Sequence, residues 1–100
     1  MSKYGAYVKF TAKPGQRDTL SDILLEAAAA ARTVKECEVY IINLSDAEPD
    51  AVWVTEVWSS AEAHKASLDN PDTKASIARA MPLIAGVESI PVVPVGGKGL

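Results

Sequence analysis

The chain holds one histidine, His64, the side chain whose ordinary pKa lies nearest neutrality and so the first candidate to take or give a proton. A little earlier, Trp58 offers a flat indole that can stack on a planar ring and donate one hydrogen bond. Glu56 lies two residues before Trp58, so in an extended segment both side chains leave on the same side. Burial would raise the Glu56 pKa unless Arg79, Lys9 or a backbone donor satisfied it, which leaves the residue as either a structural ion-pair member or a cavity acid. Arg79 is a candidate to hold an anionic or phenolate oxygen, with a solvated helix residue as the plain alternative. Asn43, Tyr7, Thr55 and Tyr40 are polar groups inside extended segments, and those that face a hollow can bind substrate. Trp58 and His64 have plain alternatives too: a packed core aromatic, and a partly exposed helical residue without a catalytic partner.

Other chemistries lack their residues. One histidine and one cysteine far apart give no metal-ligand spacing, so no metal is expected. Cys37 stands between Glu36 and Glu38, which raise a thiol pKa, and it has no second thiol to pair with; it reads as a structural, half-buried residue. Gly96-Gly97-Lys98-Gly99 precedes no helix and is not a phosphate loop. With ten Lys and Arg against thirteen Asp and Glu, the net charge of -3 offers no basic surface for nucleic acid. The longest apolar run, Ala27 to Ala31, is far too short to span a membrane, and Met1 to Gly5 has no signal-peptide core. A cytoplasmic protein is expected.

The elements that must position these residues follow from periodicity. Tyr4 to Thr11 alternates, with Tyr4, Ala6, Val8 and Phe10 on one face, and predicts a strand that stops at Lys13-Pro14-Gly15. Leu20, Ile23, Leu24, Ala27, Ala28 and Ala31 recur at helical spacing. The alanines make that buried face thin, so the helix either sits close to a sheet or leaves a hollow beside it. Glu38 to Leu44 predicts a strand buried on both faces, and Ala51 to Trp58 a third strand, the two joined as a hairpin by the polar turn Ser45 to Asp50. Ser59 and Glu62 form a capping-box pattern for a second helix running towards Leu68. Asp69-Asn70-Pro71-Asp72 breaks it, and a further helical stretch fits Thr73 to Met81. Pro91 and Pro94 restrict Ile90 to Val95 to an edge, a bulge or a short final strand.

At 100 residues this is one domain, over 1–95 with a flexible tail at 96–100, in the order β-α-β-β-α-β. The expected class is α+β, ferredoxin-like, with helices on one face of an antiparallel sheet. Trp53, Thr55 and Val57 alternate with Val52, Val54, Glu56 and Trp58, so both faces of the third strand carry apolar groups. The uncovered face predicts sheet-to-sheet pairing with a second copy.

Two segments carry a resemblance. Tyr7-Val8-Lys9-Phe10-Thr11-Ala12-Lys13-Pro14-Gly15 and Trp53-Val54-Thr55-Glu56-Val57-Trp58-Ser59-Ser60-Ala61-Glu62-Ala63-His64 resemble the antibiotic biosynthesis monooxygenase family of dimeric α+β barrels. The first matches the family's strand ending in a Lys-Pro-Gly turn, the second its Glu-x-Trp strand leading into a helix with a histidine. The resemblance, to quinol monooxygenases in particular, implies a homodimer that oxidises a small quinol- or anthrone-like aromatic with O2. No metal, flavin or other cofactor is implied, because a bound phenolate or carbanion passes an electron to oxygen directly. It places Trp58 where some family oxygenases carry a cavity tryptophan; His64 and Trp58 are then the candidate catalytic residues, and Glu56, Arg79, Asn43 and Tyr7 the candidates around the substrate.

Many members carry a second histidine where this chain has Ser67, so a two-histidine site is not available. Haem-degrading relatives need an asparagine, a tryptophan and a histidine together; the first strand has no asparagine, and Ser67 and Ile77 stand at the other two positions. Two other readings fit the same fold. One is an isomerase of a small polar metabolite, with His64 as proton shuttle and Arg79 or Lys9 as anion clamp. The other is a non-catalytic dimeric binding module.

Overall fold

Alternating side chains form β1 (Tyr4–Ala12), and Pro14 and Gly15, the latter at φ 77°, turn the chain into α1 (Arg17–Ala31). A hairpin of β2 (Cys37–Ser45) and β3 (Glu48–Trp58) follows. Then come α2 (Ala61–Ser67), α3 (Pro71–Ala80), a 3-10 turn at Met81–Leu83 and β4 (Ile84–Val92). The computed structural model describes residues 2–100. All strand pairs are antiparallel, in the order β2-β3-β1-β4. This is the expected ferredoxin-like α+β fold, with two consecutive helices between β3 and β4.

Strand register sorts the helix-covered face into rows. Leu44, Val52, Phe10 and Val87 form one row, and Ile42, Val54, Val8 and Ser89 the next. Leu20, Ile23 and Leu24 of α1 and Ala80 of α3 close the core over these rows, with Leu20, Val52 and Val54 fully buried. The following rows change character. Tyr40, Glu56, Ala6 and Pro91 lie side by side, then Cys37, Trp58 and Tyr4 at the end of the sheet. One half of this face is thus apolar core, and the other half carries groups capable of chemistry.

The opposite face has no helix on it. Tyr7, Ile41 and Ile90 are 49%, 52% and 56% exposed there. Lys9 lies over the Trp53 ring at 5.5 Å and is paired with Glu48, which also accepts from Trp53 Nε1 at 3.3 Å.

Several expectations are corrected. β2 is an edge strand, so it is not buried on both faces; Ile41 stands open on one side and Leu44 on the other. β3 begins at Glu48, because the hairpin turn needs only Asp46 and Ala47 and the strand runs through Pro49. The N-cap of α2 is Ser60, not Ser59: its hydroxyl accepts from Ala63 N at 3.1 Å, so Glu62 is not the capping-box partner. α3 begins at Pro71, two residues before the expected Thr73, with Asn70 as its cap. The final strand is Ile84–Val92, not Ile90 to Val95. Its edge position accommodates Pro91, and the chain leaves the sheet before Pro94.

Candidate functional site

The row that ends the sheet meets α2. The chain leaves β3 at Trp58 and starts α2 at Ala61, so the helix folds directly back over the strand end it has just left. His64 lies one turn into α2 and comes down on the sheet. Its Nε2 is 3.4 Å from Glu56 Oε1, and the same oxygen accepts a 2.9 Å hydrogen bond from Trp58 Nε1. Glu56 and Trp58 are 8% and 5% exposed, and the His64 side chain retains 24%. The His64 ring stacks on Tyr4 with centroids 4.6 Å apart and planes at 23°, and meets Trp58 edge-on at 5.6 Å.

Each contact has a physical consequence. A buried carboxylate must find a donor, and the indole N–H supplies one. The carboxylate in turn attracts the Nε2 edge of the imidazole, which leaves Nδ1 as the nitrogen with a lone pair to offer. Tyr4 and Trp58 fix the ring plane. The arrangement is that of an acid-base residue held by a second group, the general pattern of an imidazole prepared to move protons.

The structure therefore brings together three of the residues singled out in the sequence, Glu56, Trp58 and His64, and adds Tyr4. It keeps the others apart. Arg79 pairs with Glu26 between α3 and α1 at the surface. Asn43 lies on the helix-free face, where it donates to Trp53 O and Thr55 Oγ1, both at 3.2 Å. Tyr7 is on that face too, beside a cavity of about 380 Å³ below Pro94 and Val95. Lys9 is committed to Glu48 and does not reach Glu56. Among the described residues no cluster of three or more His, Cys, Asp or Glu side chains has metal-binding geometry. No described helix is long and apolar enough to cross a membrane.

Tyr40 and Cys37 complete the rows on the β2 side. Burial, with the negative charge of Glu56 and the neighbouring Cys37, pushes the Tyr40 phenol far above its ordinary pKa, so it stays a donor at physiological pH. Burial, followed by the carboxylates of Glu56 and Glu38, also raises Cys37. Because only the thiolate is nucleophilic, iodoacetamide at pH 8 is expected to alkylate native Cys37 at least about tenfold more slowly than the urea-unfolded chain. Equal rates in the two states would show a thiol that feels neither burial nor the carboxylates. Beside these residues the alanine end of α1 stands off β2 and leaves a hollow of about 350 Å³.

A ferredoxin-like sheet with a carboxylate, an indole and an imidazole at one end defines a small α+β protein with a polar site at the rim of its core. The profile of the antibiotic biosynthesis monooxygenase family matches residues 4–79, and the chain belongs to that family. Its fold superimposes on a protein of Chloroflexus aurantiacus assigned to the antibiotic biosynthesis monooxygenases, with 46% identity, 96% of each chain covered and a TM-score of 0.88. A protein of Caulobacter crescentus with the same assignment is 23% identical, over 95% of this chain and 92% of its own, also with a TM-score of 0.88. Rv0793 of Mycobacterium tuberculosis shares the fold at 18% identity and a TM-score of 0.85, over 97% of this chain and 99% of its own. No curated protein matches the sequence.

Proposed function

We propose that the protein is a cofactor-independent monooxygenase that oxidises a small quinol- or anthrone-like aromatic with O2. The observation that carries this reading is the Glu56 carboxylate, buried between the Trp58 indole and the His64 imidazole. His64 takes a proton from the bound phenol or activated methylene through Nδ1, and Glu56 stabilises the imidazolium that results. The electron-rich anion reduces O2 directly. One oxygen atom enters the product and the other leaves as water with the two hydrogens lost by the substrate. The substrate itself supplies the reducing equivalents, so the balance closes without an added reductant. Tyr4 stacks on His64, Trp58 meets it edge-on, and Tyr40 lies in the neighbouring row across the strand from Glu56.

The isomerase reading relies on Arg79 or Lys9 to clamp a polar anion. Both side chains suggested for that role are engaged elsewhere, Arg79 with Glu26 and Lys9 with Glu48.

Oxygen uptake by the purified protein, without added metal or flavin, across a panel of hydroquinones and anthrones tests the proposal, with heat-denatured protein as the blank. Saturable uptake with one substrate class that falls in His64→Ala and Trp58→Ala supports it. Uptake that never exceeds autoxidation for any member of the panel removes it.

The helix-free face supports a homodimer in the same reading, since Tyr7, Ile41 and Ile90 form an exposed apolar surface across three strands. Sedimentation is expected to give a dimer at micromolar concentration and a monomer for Ile90→Glu, which would bury a charge at the interface. A wild-type chain that sediments as a monomer would rule the pairing out.

A further inference from the structure

The hollow beside α1 has a specific chemistry. Its walls include Ala28, Ala31 and Arg32 from the end of α1, with Cys37, Tyr40 and Ile42 from β2. The alanine side chains end at Cβ, so the helix cannot fill the space above the strand, and a volume of about 350 Å³ remains open. That is the lower end of the range for small-molecule sites, roughly 300–1,000 Å³. Tyr40 is the cross-strand partner of Glu56, and Cys37 that of Trp58, so the hollow adjoins the Glu56–Trp58–His64 cluster.

Two donors of this wall lack partners. The ion pairs among the described residues join Lys3 to Glu38, Lys9 to Glu48, Arg17 to Asp18, Arg79 to Glu26 and His64 to Glu56. Among the described residues, then, Arg32 has no carboxylate of its own. Glu38, the acidic residue on the wall, is already held by two contacts from Lys3. Tyr40 keeps its proton, for the reasons given above. A residue with a guanidinium and one with a phenol thus line a slot that also has aliphatic walls in Ala28, Ala31 and Ile42. Donors so arranged suit an oxyanion attached to a flat hydrophobic body.

We propose that this hollow binds the acidic substituent of a planar aromatic acid, with Arg32 pairing to its carboxylate and the Tyr40 hydroxyl donating to the same group. The ring system then lies against Ala28, Ala31 and Ile42 and extends towards His64. This names the substrate class for the oxygenase reading and rests on that reading only for the word substrate. Binding itself is a separate property. Arg32 is the specificity residue in this arrangement, because an uncharged ring gains little from a guanidinium that water already solvates.

The test uses the full chain under nitrogen and two fluorescent probes, anthracene-2-carboxylate and its neutral analogue 2-(hydroxymethyl)anthracene. The carboxylate is expected to bind about tenfold or more tightly than the alcohol, the size of one charge-assisted hydrogen bond. Arg32→Gln removes that preference, and as an exposed helix-end variant it leaves the fold intact. Ala28→Leu fills the slot and abolishes binding of both probes. Equal affinity for the two probes, or an Arg32→Gln protein that retains the preference, overturns the assignment.

Failure of one reading is distinguishable from failure of the other. Carboxylate-selective binding with no oxygen uptake for any substrate keeps the site and removes the oxygenase. Uptake that is indifferent to Arg32→Gln and Ala28→Leu does the reverse.

Discussion

Glu56→Gln is expected to lower kcat/KM for oxygen consumption by about a hundredfold or more, within the range that positioned acid-base groups contribute. The fold should survive, because the amide oxygen can still accept from Trp58 Nε1 as the carboxylate does at 2.9 Å. What disappears is the negative charge beside His64 Nε2, which orients the ring and leaves Nδ1 free to act as base. Steady-state oxygen uptake measures the loss, and intrinsic tryptophan fluorescence shows whether Trp58 has kept its surroundings. The decisive comparison is the double variant. If Glu56 acts only through His64, Glu56→Gln in a His64→Ala background costs almost nothing further, since groups that act as a unit are strongly non-additive. Multiplicative losses would mean that the carboxylate touches the substrate on its own account.

The legible half of this site is a matter of parity. Glu56 and Trp58 share a face because they are two residues apart in a strand, and that much is visible in the sequence. Tyr4 obeys the same rule, on the face with Ala6 and Val8, yet its place beside His64 depends on β1 pairing with β3 so that Tyr4 stands opposite Trp58. Cross-strand register is a property of the sheet, and no single strand displays it. Arg79 shows the converse. Its helix could be read, but which neighbour that helix meets could not, and the residue ends at Glu26 on α1. The same blindness explains β2. Its Val39-Tyr40-Ile41-Ile42 run has the composition of a central strand, while the chain order places it at the edge and leaves Ile41 open. For β4, Pro91 and Pro94 point to a short, late strand, yet an edge strand tolerates Pro91 and the extended segment begins directly after the 3-10 turn, at Ile84.

The stability of the site depends on the apolar half of the same face, and Leu20→Ala is expected to show it by destabilising the protein by about 3–4 kcal/mol. Leu20 is fully buried where α1 crosses the rows of Val52 and Val54, with Ala12 and Ala80 as small neighbours. Small neighbours cannot swing in to fill a void, so most of the cavity left by the lost methyl groups should persist. A domain of this size has a total stability of about 5–15 kcal/mol, which makes the loss a large fraction of the whole. Urea titration at a fixed protein concentration should shift the midpoint without changing the slope. The matched control is Leu25→Ala on the same helix, where the side chain is 52% exposed and less than about 1 kcal/mol should be lost. If the two variants melted alike, α1 would not be anchored through Leu20. The face that aligns β3 beneath α1 and brings Glu56 and Trp58 to its open end would then have to be held by contacts elsewhere.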